Sequence, residues 1–200
     1  IRVTGSELVG LIPLKAMLDA GKYFLAKQQR SLGVDDAELI KIAIKSMGLD
    51  DLKPFKAEEK IIEYVLAKNE KQQKLVDLTA SGFADLTASE APAPGGGSVA
   101  AYVGALGASL ATMVANLSSH KRGWDDRWEE FSVYAEKGQQ LKAALLFLVD
   151  EDTRAFNKIM DAFSLPKKSE AEKKARQQAI EEASKYAIDV PMQVMEKSLE

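Results

Sequence analysis

Ala91-Pro92-Ala93-Pro94-Gly95-Gly96-Gly97-Ser98 runs directly into a stretch, Val99 to Ser119, that holds no charged residue. Two prolines stiffen the approach, and three glycines open backbone conformations closed to other residues, so such a loop can lie very close to a ligand. The N–H groups at the start of the following helix and the positive end of its dipole favour a carboxylate, a phosphate or an electron-rich ring. No Gly-Lys-Ser/Thr follows and no G-x-G-x-x-G spacing is present, so nucleotide binding has little support. Past the turn, Gly97, Ala101, Gly104, Ala108, Ala111 and Ala115 make a stripe of small residues at spacings of four and three, which predicts close packing against another helix backbone. A plain flexible linker needs no such stripe. The stretch is long enough to cross a bilayer, but its Ala, Gly and Ser content drives transfer into lipid only weakly, so no membrane span is expected.

A second stretch bears on the chemistry. Leu141, Leu145, Leu148, Asp152, Ala155 or Phe156, Ile159 and Phe163 fall on one helical stripe that is apolar except for Asp152. Asp150 and Glu151 point elsewhere around the same helix, so three neighbouring acids are expected to have three different surroundings. Desolvation disfavours a charged carboxyl, and among apolar neighbours Asp152 becomes a candidate acid or base. The alternatives are a partner for it, in the form of a buried Lys, Arg or backbone donor, or a bend that turns it to solvent. His120, beside Lys121 and Arg122, reads as a solvated residue near a helix C-terminus. Trp124 and Trp128, at i and i+4, read as a core or interface pair.

Around these stretches the chain reads as mainly α. Ile1 to Gly5 looks like the tail of a strand, and Gly10-Leu11-Ile12-Pro13 like a turn. Helices follow over Leu14 to Lys27 and from a cap at Asp35 to a stop at Gly48. A third runs from near Ala57 to Ala67 with Ile61, Ile62, Val65 and Leu66 facing inward. The polar run 68–74 is a candidate linker. Beyond it, helices are expected over Leu75 to Thr87, Ser98 to Ser119, Asp126 to Phe163 and Ser169 to the end, with Pro191 as a kink or restart. The fold expected is a partial α/β remnant, a terminal strand plus helices, followed by an all-α bundle.

Composition narrows the function. The 200 residues are 46% hydrophobic, enough to fill a core, and the net charge of −3 is spread along the chain, which argues against a nucleic-acid surface. With no cysteine and a single histidine, thiolate and His-rich metal sites are excluded and a reducing, cytoplasmic setting fits. The start at Ile1 and the end at Glu200 inside a helical pattern suggest a fragment.

The segment from Thr4 to Lys15, with Ile61-Ile62-Glu63-Tyr64, resembles the end of a formiminotransferase domain. Ala93-Pro94-Gly95-Gly96-Gly97-Ser98-Val99-Ala100-Ala101, Val149-Asp150-Glu151-Asp152-Thr153-Arg154-Ala155-Phe156 and Leu165-Pro166-Lys167 resemble a cyclodeaminase domain, and the order of the motifs is that of the bifunctional formiminotransferase-cyclodeaminase family. The resemblance implies residues 1–67 as the transferase end, 68–74 as linker and 75–200 as an incomplete cyclodeaminase helical domain. It implies tetrahydrofolate as a one-carbon carrier substrate without a metal, formiminoglutamate as formimino donor, a role in histidine degradation, and a homo-oligomer through the helical domain. Asp152 takes the position of the family's cyclodeaminase acid, and Gly95, Gly96, Gly97 and Ser98 would bind substrate. The alternatives are a stand-alone type of methenyltetrahydrofolate cyclohydrolase and a non-catalytic dimerisation module.

Overall fold

The computed structural model describes residues 6–67 and 74–200. The expected strand at Ile1 to Gly5 and all of the 68–74 linker except Lys74 lie outside them. The described residues are predominantly helical, and their β structure is one isolated parallel bridge between Ile12 and Ile61.

Helices α1 (Leu14–Lys27) and α2 (Asp36–Met47) form where local signals place them. The Asp35 carboxylate accepts from the Glu38 N–H and caps the first turn of α2, and Gly48 ends the helix at φ 66°. Met17, Leu25, Leu39, Ile40 and Ala43 are buried. The single helix expected from Ala57 is instead two short ones, α3 (Ala57–Lys60) and α4 (Ile62–Ala67). Between them Ile61 is extended and fully buried, because its flanking groups pair with Ile12: the Ile12 N–H donates to the Lys60 carbonyl at 2.9 Å and the Ile62 N–H to the Ile12 carbonyl at 3.0 Å. Leu66, expected inside, is 62% exposed.

After a 3-10 turn at Leu75–Asp77, Thr79 caps α5 (Ala80–Thr87), so the helix expected over Leu75 to Thr87 is also broken. Three long helices follow: α6 (Gly96–Ser118), α7 (Trp128–Ser164) and α8 (Glu170–Leu199). Ser169 and Glu172 close a reciprocal capping box on α8, and Pro191 sits inside that helix. By length and composition α6 is the one helix among the described residues that could cross a membrane.

The described residues divide into two compact units, one drawn from Ile1–Gln72 with Leu110–Gln139 and the other from Gln73–Ser109 with Gln140–Glu200. The first has a core of Met17, Ile40, Ala43 and Ile61. The second packs Phe83, Ala101, Ala105, Leu145, Leu148, Val149, Ala155, Val190 and Val194 together.

The inward line of α6 differs from the expected small-residue stripe. Ser98, Ala101, Ala105, Thr112, Ala115 and Ser119 are buried, whereas Ala111 is exposed and Gly97, Gly104 and Ala108 are half-buried. Small hydroxyl residues can turn inward because they satisfy backbone carbonyls: Ser119 Oγ donates to the Asn116 carbonyl at 2.7 Å, and Ser109, half-buried beside this line, donates to that of Ala105 at 2.7 Å. On α7 the stripe takes Ala155 of the two residues expected there, Phe156 being 37% exposed, and it passes through Ala162 in place of the expected Phe163, which is 51% exposed. Trp124 pairs with Phe131 rather than Trp128, the two rings stacked at 5.4 Å with Lys121 and Arg127 over the indole. His120 is exposed.

Candidate functional site

The glycine turn and Asp152 meet within the second unit. Helix α6 opens at Gly96, so the Ser98 N–H lies in its first turn, where no carbonyl of the same helix is available. That N–H donates to Asp152 Oδ2 at 2.9 Å, and the Ser98 hydroxyl lies 3.0 Å from the same oxygen and 2.9 Å from the Val149 carbonyl. One end of the carboxylate is therefore fixed at the N-terminus of α6, a position that suits negative charge. Among the described residues Oδ1 accepts no hydrogen bond and remains available.

Gly97 is what lets the carboxylate approach so closely. A Cβ built there would lie 2.6 Å from Asp152 Cγ and closer still to Oδ1, and that space is already filled by the acid. One built on Gly95 would stand 3.6 Å from Oδ2, an ordinary contact, and one on Gly96 would meet nothing within 4 Å. The three glycines thus have three different roles, with only Gly97 excluded from carrying a side chain by Asp152.

Gly95 and Gly96 instead border an open groove of about 750 Å³, walled by Pro94, Val99, Ala100 and Val103 with Thr87 and Ser198 on its edges. The volume and the apolar walls suit a flat ring system. The four residues expected to bind substrate therefore divide: Gly95 and Gly96 face the groove, Ser98 bonds Asp152, and Gly97 leaves the space its carboxylate fills.

The apolar surroundings expected for Asp152 are corrected by this geometry. It is half-buried, and of the possible partners a backbone donor is the one present, joined by a serine hydroxyl. Its neighbours do have different partners. Asp150 accepts from the Leu75 N–H at 2.6 Å, and Glu151 bonds the Tyr186 hydroxyl of α8 and Arg154. Three successive carboxylates thus fasten three separate segments to α7. Thr87, Ser198 and Tyr186 escape a reading of the sequence, since hydroxyl residues on helices carry no periodic signal. No cluster of three or more His, Cys, Asp or Glu side chains suited to a metal ion occurs among the described residues.

Ser98 is fully buried, so Ser98→Ala removes a hydroxyl shared by two acceptors and leaves the Val149 carbonyl short of a partner. The expected cost is about 1–3 kcal/mol of folding stability, read as a lower urea midpoint with an unchanged slope.

A family model described as Formiminotransferase-cyclodeaminase matches residues 79–200, and one described as Formiminotransferase domain matches residues 1–67. Formimidoyltransferase-cyclodeaminase of Mus musculus is 38% identical over 194 residues, which is 97% of this chain and 36% of the relative. That of Dictyostelium discoideum is 34% identical over 98% of this chain and 36% of its own length. The chain thus spans 36% of the length of either of these two relatives. A methenyltetrahydrofolate cyclohydrolase of Methylorubrum extorquens is 41% identical over 57% of this chain and 55% of the relative. A crystal structure of formiminotetrahydrofolate cyclodeaminase from Thermotoga maritima superposes with a TM-score of 0.53 at 33% identity, covering 62% of this chain and 58% of that one.

Proposed function

The chain belongs to the formiminotransferase-cyclodeaminase family, and from that premise we propose that its second unit carries the cyclodeaminase chemistry of folate one-carbon metabolism: 5-formiminotetrahydrofolate closes to 5,10-methenyltetrahydrofolate and releases ammonia. The observation that carries the proposal is the Asp152 carboxyl, pinned at Oδ2 by Ser98 and without a hydrogen bond at Oδ1, beside a glycine turn that borders an apolar groove of about 750 Å³.

In this reading the folate ring lies along Pro94, Val99 and Val103 with the Gly95–Gly96 backbone against it. N10 of the substrate attacks the formimino carbon, forming the C–N10 bond and an adduct whose third nitrogen is the former imine. The proton that N10 carries passes to that nitrogen, making it an amine; Asp152 gives the amine a second proton, the C–N bond breaks, and ammonia leaves the methenyl cation. The carboxylate that results faces the cationic methenyl product and stabilises it. The chain's residues supply proton transfer and positioning, which need no metal.

Formimino transfer from formiminoglutamate, in the course of histidine degradation, belongs to the same proposal and is assigned to the longer protein, with residues 1–67 as the end of its transferase domain. A second reading has one specific support, the 41% identity to a methenyltetrahydrofolate cyclohydrolase. The two separate on a single assay of the full-length protein. Cyclodeamination requires one ammonia per methenyltetrahydrofolate formed from the formimino compound. Methenyltetrahydrofolate hydrolysis without any formimino-dependent ammonia would overturn it in favour of the hydrolase.

Assembly as a homo-oligomer through the helical domain is part of the proposal. Ile188, Met192 and Met195 recur at spacings of four and three on α8 and are 48–64% exposed, an uncharged apolar seam of the kind that packs against another helix, of the longer chain or of a second copy. Ile188→Lys with Met195→Lys is expected to lower the assembly mass measured by light scattering. An unchanged mass would remove this face from the interface.

A further inference from the structure

We propose that the Ser31-Leu32-Gly33 loop is a latch through which the region matched by the formiminotransferase-domain model grips helices of the region matched by the cyclodeaminase model, so that within the first compact unit the two are docked rather than merely tethered. The loop lies between α1 and α2, and its partners are the second half of α6 and the first part of α7.

The grip is made by side chains reading the loop's backbone. The Gly33 carbonyl accepts from Asn116 Nδ2 at 2.8 Å, on α6, and from Gln139 Nε2 at 3.0 Å, on α7. The other end of the Asn116 amide accepts from Ser31 Oγ at 2.5 Å, so this one side chain holds the loop at two points. The Leu32 N–H donates to Ser132 Oγ at 3.2 Å. Ser31 and Ser132 are 2% and 4% exposed, so the serine ends of these bonds are interior, while Asn116 and Gln139 reach them from half-buried positions. Lys22 of α1 forms an ion pair with Glu136 of α7 at the rim.

Steric fit agrees with the bonding. Ala135 is fully buried, and a Cβ built on Gly33 would lie 2.6 Å from the Glu136 nitrogen and closer still to Ala135. Gly33 therefore sits directly on the α7 backbone, an approach no other residue allows. Ala115 of α6 and Ser119, just past its end, are buried as well.

The test is a cut that leaves only noncovalent contacts. A recognition sequence for a site-specific protease is inserted between Lys71 and Gln72 of the full-length protein, and the cleaved sample is run on a size-exclusion column under native conditions. The latch predicts that the two fragments elute together. Gly33→Leu, and separately Asn116→Ala with Gln139→Ala, should weaken their association at least tenfold, while circular dichroism before cleavage shows parental helix content. Should those buried variants not fold, the rim pair decides: Lys22→Glu should loosen the nicked complex, and Lys22→Glu with Glu136→Lys should restore it. Fragments that separate in the parent, or latch variants that stay together as the parent does, overturn the proposal.

Discussion

Asp152→Asn in the full-length protein is expected to lower ammonia release from 5-formiminotetrahydrofolate by about 100- to 10,000-fold, the range by which a positioned acid accelerates proton transfer, with formimino transfer unchanged. Asparagine keeps the size of the side chain and can still accept from Ser98 at one atom, so the fold around the glycine turn survives. What is lost is a group able to give a proton to the leaving nitrogen. The two activities are measured in one sample, transfer by consumption of formiminoglutamate and cyclodeamination by ammonia. A parallel fall in both would indicate unfolding, and equal ammonia release by variant and parent would defeat the role given to Asp152.

Gly97→Ala is the second large effect, and Gly96→Ala its control. An alanine methyl at 97 must displace the Asp152 carboxyl or push α6 away from α7, and overpacking of this kind costs about 1–3 kcal/mol. The same displacement moves Oδ1 from the position the proposed proton transfer requires, so activity should fall by more than the loss of folded protein accounts for. At Gly96 a methyl meets nothing within 4 Å, and alanine there should leave thermal stability at or slightly above that of the parent. Equal behaviour of the two variants would contradict the packing described for the turn.

The contrast between these adjacent glycines shows what could be read from the sequence. Asp35, Gly48 and Ser169 act within one turn of their helices, and their capping signals place α2 and α8 correctly. The break at Ile61 depends on Ile12, 49 residues away, and no local pattern announces it. Asp152 stands out as an ionisable residue in an apolar stripe, yet its partner Ser98 is 54 positions distant, so the pattern singles out the residue but misjudges its surroundings. The buried line of α6 departs from its pattern for a related reason. Serine and threonine count as polar in a periodicity, but on this helix Ser98, Thr112 and Ser119 turn inward, and the hydroxyls of Ser98 and Ser119 reach backbone carbonyls. Nothing in the sequence distinguishes Gly97 from Gly96, because the difference lies in what packs against each.

The same limit applies to Gly33. A lone glycine between two helices reads as a turn residue, and its contact with Ala135 appears only once the chain has folded over a separation of about a hundred residues. Asn116 and Gln139 likewise look like solvent-facing amides until the loop they hold is in place.

The most direct measurement is a titration of the isotopically labelled protein with 5-formyltetrahydrofolate, a stable analogue of the formimino substrate, followed by amide resonances. Binding in the groove predicts shifts that saturate together at Gly95, Gly96, Ser98 and Val99, and their loss from the free position in proportion to ligand bound. Saturating shifts confined to residues remote from the glycine turn, or no binding at all, would contradict the assignment of Asp152 and the groove beside the glycine turn as the reacting centre.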